Sequence, residues 1–291
     1  MKHASDESTE TIEAWLSRRR PRHEAARLMG ADSIDKRDDK VDIALRDLVM
    51  KPLTHFDSYL HPVARLSELN IDWFAPKQVE LFRIYGPAGP GAAPDQERHY
   101  SREWAYTDPL GQVNVFARPS LAAGRFAAGH SLTSGYGQAL AALGVVIVPN
   151  LTWCELSVRP YVSYQGSAYL SGRRPSDAWE NATSTTWTSV GILVESWAVG
   201  GGSYHLDWDQ PVVVSTFSET NPTKSWRDFG GSVTVSDGLA AKIFASGSRR
   251  YRIWVYCWAE VQAQMLVSAG AYASTSIDCW MPYLVVEQTK L

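Results

Sequence analysis

The stretch His205-Leu206-Asp207-Trp208-Asp209 comes nearest to metal chemistry in this chain. In an extended segment successive side chains point to opposite faces, so His205, Asp207 and Asp209 would share one face and present an imidazole and two carboxylates to a divalent cation. Three ligand-type residues spaced by two also describe any solvated strand face, so this is a weak metal candidate and no cofactor is expected. Besides His205, His130 is the only histidine in the second part of the chain, so a histidine-based dyad has few candidates; His130 near Ser131 is among them, but neighbours in a strand face opposite ways, which works against it. Paired carboxylates for glycoside hydrolysis would come from Glu155, Glu195, Asp207, Asp209, Asp228 and Glu260, two of which would have to stand at a defined separation. The chain has no GxxxxGK[ST] phosphate loop, no HExxH, no GxSxG and no GxGxxG. Gly200-Gly201-Gly202-Ser203 lacks the lysine and the following helix that phosphate binding needs, and reads as a hairpin loop.

Tryptophan is the other chemically suggestive residue. Of 12 in the chain, nine lie beyond residue 108. Trp179, Trp187, Trp208 and Trp226 fall in or beside polar, turn-rich stretches such as SGRRPSDAWENATSTTW and SETNPTKSWRDFGG. With Asp207 and Asp209 they form a candidate ligand-binding set on loops at one end of the fold, because an aromatic face stacks on a sugar ring while carboxylates accept from its hydroxyls.

A second aromatic group arises from alternation. In RYRIWVYCWAEVQAQM (250–265) the odd positions from Tyr251 to Met265 make a continuous apolar face. Trp254, Tyr256 and Trp258 then point the other way, flanked by Arg250, Arg252 and Glu260. Such a stripe is a sugar-binding surface, an interface with another copy or partner, or a second core beneath another layer. From 271 to 286 a partner strand carries Ala271, Ala273, Thr275, Ile277, Cys279 and Met281 on one face and Tyr272, Ser274, Ser276, Asp278 and Trp280 on the other. A short turn around 268–270 would pair the two strands with Cys257 opposite Cys279 and Tyr256 opposite Trp280, so Trp280 joins the interface candidates. The two cysteines are expected to be small buried neighbours.

These groups must be positioned by two regions of different composition. Residues 1–108 carry 16 Lys/Arg and 19 Asp/Glu, whereas the following 183 residues carry only 12 of each. Residues 1–76 read as a charged, partly mobile region with helices over 11–29, interrupted by Pro21, and over 36–50. Beyond residue 77, and after the linker-like GPAGPGAAPDQ (86–96), strands separated by turn signals and without amphipathic helices predict an antiparallel β-sandwich, jelly-roll-like, over 77–291. VELFRIY (79–85) and 153–164 are clear strands. Pro160 in the latter argues for an edge or a bulge, since proline has no N–H to give a ladder. Residues 121–142 are poor in pattern, and their glycines favour a small-residue strand.

With a net charge of −3 and 20% charged residues, the composition excludes collagen-like and fully disordered chains, and nucleic acid is not an expected partner. No signal-peptide-like apolar segment and no run of eighteen apolar residues is present, so a soluble, cytoplasmic protein without a membrane span is expected. Together these features predict a non-catalytic binding or assembly protein, with contacts between copies or partners and a glycan ligand as the expected uses of its aromatic surface. The alternative is a carboxylate- or metal-dependent hydrolase acting on a glycan.

Overall fold

The computed structural model describes residues 79–91, 98–108, 114–173, 182–264 and 270–291. The expected N-terminal helices and Trp179 lie outside the described residues. Contacts divide the chain into two units, Met1–Phe74 and Ala75–Leu291, and every described strand belongs to the second.

The sequence of this unit alternates apolar and polar residues over long stretches, and alternation with one buried face selects extended chain. Twelve strands result among the described residues: β1 (Val79–Tyr85), β2 (Arg102–Thr107), β3 (Phe116–Ser120), β4 (Arg125–Leu132), β5 (Gly135–Ile147), β6 (Trp153–Arg173), β7 (Thr183–Ala198), β8 (His205–Thr220), β9 (Ser225–Val233), β10 (Ala241–Ser246), β11 (Arg249–Gln264) and β12 (Gly270–Lys290). The helical element among the described residues is one 3-10 turn, Val235–Asp237, capped by the Thr234 side chain. One sheet has the order β2-β5-β11-β7-β8. The other has β10-β6-β12-β4-β3, with β1 also on β12 and β9 also on β6. Every named pair is antiparallel, so the fold is the antiparallel β-sandwich that the turn-separated alternation predicts.

The 21-residue strands β6 and β12 form the spine of the seven-stranded sheet. Their register holds from Gly270↔Arg173 to Trp280↔Ser163 and resumes one residue displaced at Tyr283↔Tyr161. Met281 and Pro282 therefore oppose Val162, a β-bulge where proline's missing N–H is tolerated. The bulge switches the parity of β12: Ile277, Cys279 and Met281 face the core above it, Leu284 and Val286 below it. Released from the ladder, the Met281 N–H donates to Gly124 O (2.8 Å) and its carbonyl accepts from the buried Tyr100 hydroxyl (2.9 Å). Pro160 occupies a related gap. On β6, β10 pairs as far as Val158 and β9 from Val162, so Pro160 faces no ladder on that side. The expected edge is thus local, within a strand that is otherwise internal.

The hairpin expected between β11 and β12 does not form. β11 lies between β5 and β7, and β12 lies in the other sheet. Two strands with matching apolar faces satisfy the same burial requirement side by side or face to face, and alternation cannot tell these apart. Cys257 and Cys279 are still buried neighbours, now across the core. Both are free and fully buried. Cys257 Sγ donates to Phe126 O (3.6 Å), while burial and the adjoining Cys257 thiol push Cys279 well above the usual thiol range.

The main core gathers side chains from both sheets, among them Phe126, Leu143, Ile147, Leu156, Val190, Ile253 and Leu284. A second cluster around Leu132, Leu170, Val261 and Ala273 fills one end. Each of these Leu, Ile, Val and Phe side chains contributes about 1.5–3 kcal/mol by leaving water. Buried His130 lies inward on β4, its ring against Gly137, where a Cβ would stand 2.2 Å from Cε1. Burial holds its imidazole below the ordinary value, and the backbone and charge of Asp108 offset this only in part.

On the outward face of the five-stranded sheet, Arg252 and Glu195 are directly paired across β11 and β7. Glu195 Oε1 accepts from Arg252 Nε (2.6 Å) and Trp254 Nε1 (2.8 Å). The guanidinium carbon sits 5.2–5.4 Å from the ring centroids of Tyr204, Trp197 and Trp254. The carboxylate is 1% exposed, so removing it leaves a buried cation without its ion-pair partner. Glu195→Ala should therefore destabilise the fold by about 3 kcal/mol in urea unfolding, with Glu195→Gln clearly milder because the indole and guanidinium keep an acceptor. Equal stability of Glu195→Ala and the parent would contradict the arrangement. His130 gives a pH dependence. Its folded pKa is lowered, so above about pH 6.5 both states leave it neutral, and below that the unfolded chain binds the proton first and stability is lost. The urea midpoint should fall between about pH 7.5 and about pH 5.5, and His130→Asn should flatten that fall; an unchanged slope would refute the assignment.

Candidate functional site

The residues expected to form one ligand-binding surface are placed on different faces. Trp208 turns inward against the main core. Trp187 is half-buried, opposite Glu260 on the outward face of the five-stranded sheet. Asp209 shares that face and accepts from the Tyr256 hydroxyl (3.1 Å). Trp226 lies on the outward face of the seven-stranded sheet, 63% exposed. All four belong to strands rather than loops. The metal candidate is corrected too. A bulge pairs Glu195 with Leu206 and Val194 with Trp208, leaving Asp207 as the extra residue and breaking the alternation that would align His205, Asp207 and Asp209. Among the described residues no group of three His, Cys, Asp or Glu side chains is placed to hold a metal ion.

The aromatic stripe is also divided. Trp254, Tyr256 and Trp258 are at most 3% exposed, so they are a second core rather than a free surface. Glycine across the ladder makes room for two of them: a Cβ at Gly144 would stand 2.6 Å from the Trp254 ring, and one at Gly191 2.3 Å from that of Tyr256. Trp280, assigned to the same stripe, is 47% exposed on the opposite sheet.

That second face holds the site. Above the Met281–Pro282 bulge, registers across β9, β6, β12, β4 and β3 set outward residues in rows. Asp228, Ser167, Ser276, Gly129 and Phe116 form one row; Gly230, Gln165, Asp278, Ala127 and Arg118 the next; Ser232, Ser163, Trp280, Arg125 and Ser120 the third. Small side chains floor the centre, and tall ones wall it. The result is a trough of two adjoining cavities, about 550 Å³ and about 470 Å³, that share Gln165 and Asp278.

At one end Tyr169 packs between Trp226 (centroids 5.9 Å) and Tyr272 (5.8 Å). Trp226 Nε1 donates to Asp228 Oδ1 (2.7 Å), which fixes the plane of an otherwise exposed indole. At the other end stand Trp280 and the ion pair of Arg125 Nη2 with Asp278 Oδ2 (3.2 Å). Between them the Ser167 and Ser276 hydroxyls share a hydrogen bond (3.3 Å). Along the β3 side the Arg118 guanidinium lies over the Phe116 ring, 5.0 Å from its centroid.

Chemically, this is a row of hydroxyl, amide and carboxylate groups between aromatic platforms. Asp228 faces an indole N–H and Asp278 a guanidinium. The pair is suited to accept from ligand hydroxyls. Alternation isolates the Tyr272, Ser274, Ser276, Asp278, Trp280 face of β12 but misses its neighbours. Arg118 and Arg125 stand on β3 and β4, in a segment of weak pattern, and Tyr169 and Gln165 lie beyond the part of β6 with clear alternation. Gly129 inside β4 was an available signal, since glycine within a strand marks a close approach, here by Phe116.

No protein-family model matches the chain, and no curated protein matches it. Among solved structures, the family 11 carbohydrate-binding module of the Clostridium thermocellum cellulosomal cellulase Lic26A-Cel5E is similar at 7% identity and a TM-score of 0.22, covering 71% of this chain and 95% of that one. TmCBM61 in complex with β-1,4-galactotriose is similar at 11% identity and a TM-score of 0.18, over 64% of this chain and 89% of that one. The infectious bursal disease virus Gx strain structure has 10% identity and a TM-score of 0.18, over 70% of this chain and 41% of that one. At such TM-scores the likenesses carry no argument, and what the trough can hold is decided by its own residues.

Proposed function

We propose that this protein binds a linear glycan in the trough of the seven-stranded sheet and does not cleave it. The observation that carries the reading is the exposed Trp226 indole, locked by Asp228 at one end of a hydroxyl-floored trough, with exposed Trp280 at the other. Aromatic faces stack on the C–H faces of sugar rings, and Ser167, Ser276, Gln165 and the two carboxylates are within the lining to take ring hydroxyls. From Tyr272 to Trp280 the strand rises ~26 Å, enough for several rings in line. In affinity electrophoresis against soluble linear glycans the parent chain should be retarded by at least one. Trp226→Ala and Trp280→Ala should each weaken that binding by about tenfold or more, the effect of truncating an aromatic anchor. Both variants retaining full affinity would sink the proposal.

A second reading, contact between copies, is favoured by a separate observation. Below the bulge the same face exposes Phe82 (53%), Ile84 (54%), Tyr283 (42%) and Phe244 (48%), an apolar area outside the trough. On this reading light scattering at micromolar concentration gives a mass above one chain, and Ile84→Lys returns it to the monomer value. A parent chain already monomeric removes it.

A further inference from the structure

One cation of the trough is held in place by an aromatic ring rather than by a carboxylate. Gly129 has no side chain, so the Phe116 ring lies directly against β4, its Cε1 only 2.5 Å from where a Cβ would be. Arg118, two residues along β3, rests its guanidinium on that ring. The other charged groups of the trough are engaged, Arg125 with Asp278 and Asp228 with the Trp226 indole. The Arg118 side chain, exposed at the lip, makes none of the ion pairs found among the described residues. A stacked guanidinium keeps its edge N–H groups free in a fixed plane, and a planar fork of donors matches a carboxylate through two parallel hydrogen bonds.

We infer that the ligand is an acidic glycan, a chain containing uronic acid residues, and that Arg118 receives a sugar carboxylate. The inference rests on the glycan reading of the trough and adds the class of sugar. Charge placement supports it: the β3–β4 wall carries both arginines, Arg125 offsets the charge of Asp278 in Arg118's own row, and a carboxylate directed to that wall stays away from Asp228 on the β9 wall.

Calorimetric titration of the full chain with four soluble polymers tests this: polygalacturonate, its methyl ester, a neutral galactan and a sulfated galactan. Polygalacturonate should bind about tenfold or more tighter than its methyl ester, the worth of one charge-assisted contact, and the preference should shrink as salt is raised. Arg118→Gln should erase the preference, while Arg118→Lys should restore only part of it. Trp226→Ala should weaken every polymer that binds. Equal binding of acid and ester, with Trp226→Ala still disruptive, would overturn the inference and leave the glycan reading standing. An Arg118-dependent preference for the sulfated polymer would overturn the carboxylate assignment. Failure of all four polymers to bind, with another linear glycan still retarding the chain in affinity electrophoresis, would overturn the inference alone; retardation by no linear glycan would overturn both.

Discussion

The geometry of the seven-stranded sheet depends on the extra residue that β12 carries at Met281–Pro282. A 21-residue strand paired to another of equal length would, without interruption, keep one parity throughout. The bulge reverses that parity, so β12 can use odd residues for the core above it and even residues below it. It also ends the β4 ladder and begins that of β1, since the bent strand cannot keep both neighbours in one plane. A pair of backbone groups is left without ladder partners, and Tyr100 and Gly124 satisfy them. Burial of the Tyr100 hydroxyl raises its pKa well beyond the phenolic range, which keeps it a donor to the Met281 carbonyl. The trough lies wholly on the upper side of this discontinuity, and the exposed apolar area on the lower side.

The two outward faces solve the problem of aromatic residues differently. On the five-stranded sheet the rings lie over Gly144 and Gly191, and a buried Arg252–Glu195 pair ties β11 to β7. A desolvated ion pair adds little to stability by itself, but loss of either member leaves an uncompensated charge, so the pair enforces this one arrangement of strands. On the seven-stranded sheet small residues are grouped in the centre rather than set beneath rings. The tall side chains stand around them, and a concavity results where a flat, filled surface would otherwise form.

Sequence legibility followed the strength of alternation. The apolar face of β11 and both faces of the upper half of β12 were readable because period two there is nearly unbroken, and Pro160 marked a real gap in the ladder. What alternation cannot encode is which sheet a strand joins. The hairpin expectation for β11 and β12 failed for that reason, and with it the joining of Trp280 to Trp254, Tyr256 and Trp258. A bulge defeated one further expectation: in β8 it separates His205, Asp207 and Asp209. Trp208 and Trp226 sit in similar polar surroundings in sequence, yet one faces the core and the other faces out, a difference set by tertiary register alone.

The upper trough is distinguished less by its number of polar groups than by how each is held. Trp226 is oriented by Asp228, Arg118 by Phe116, Asp278 by Arg125 and Ser167 by Ser276, and all stand on strands rather than loops. A side chain already fixed in its binding geometry loses little rotamer freedom when a ligand arrives, a loss of about 0.5–1.5 kcal/mol for each mobile one. A shallow, open surface cannot gain affinity by enclosing a ligand, so on the glycan reading the affinity of the trough rests on how its side chains are held. On that reading, the contacts of Trp226 with Asp228 and of Arg125 with Asp278 set both the aromatic platforms and the acceptors before a ligand arrives.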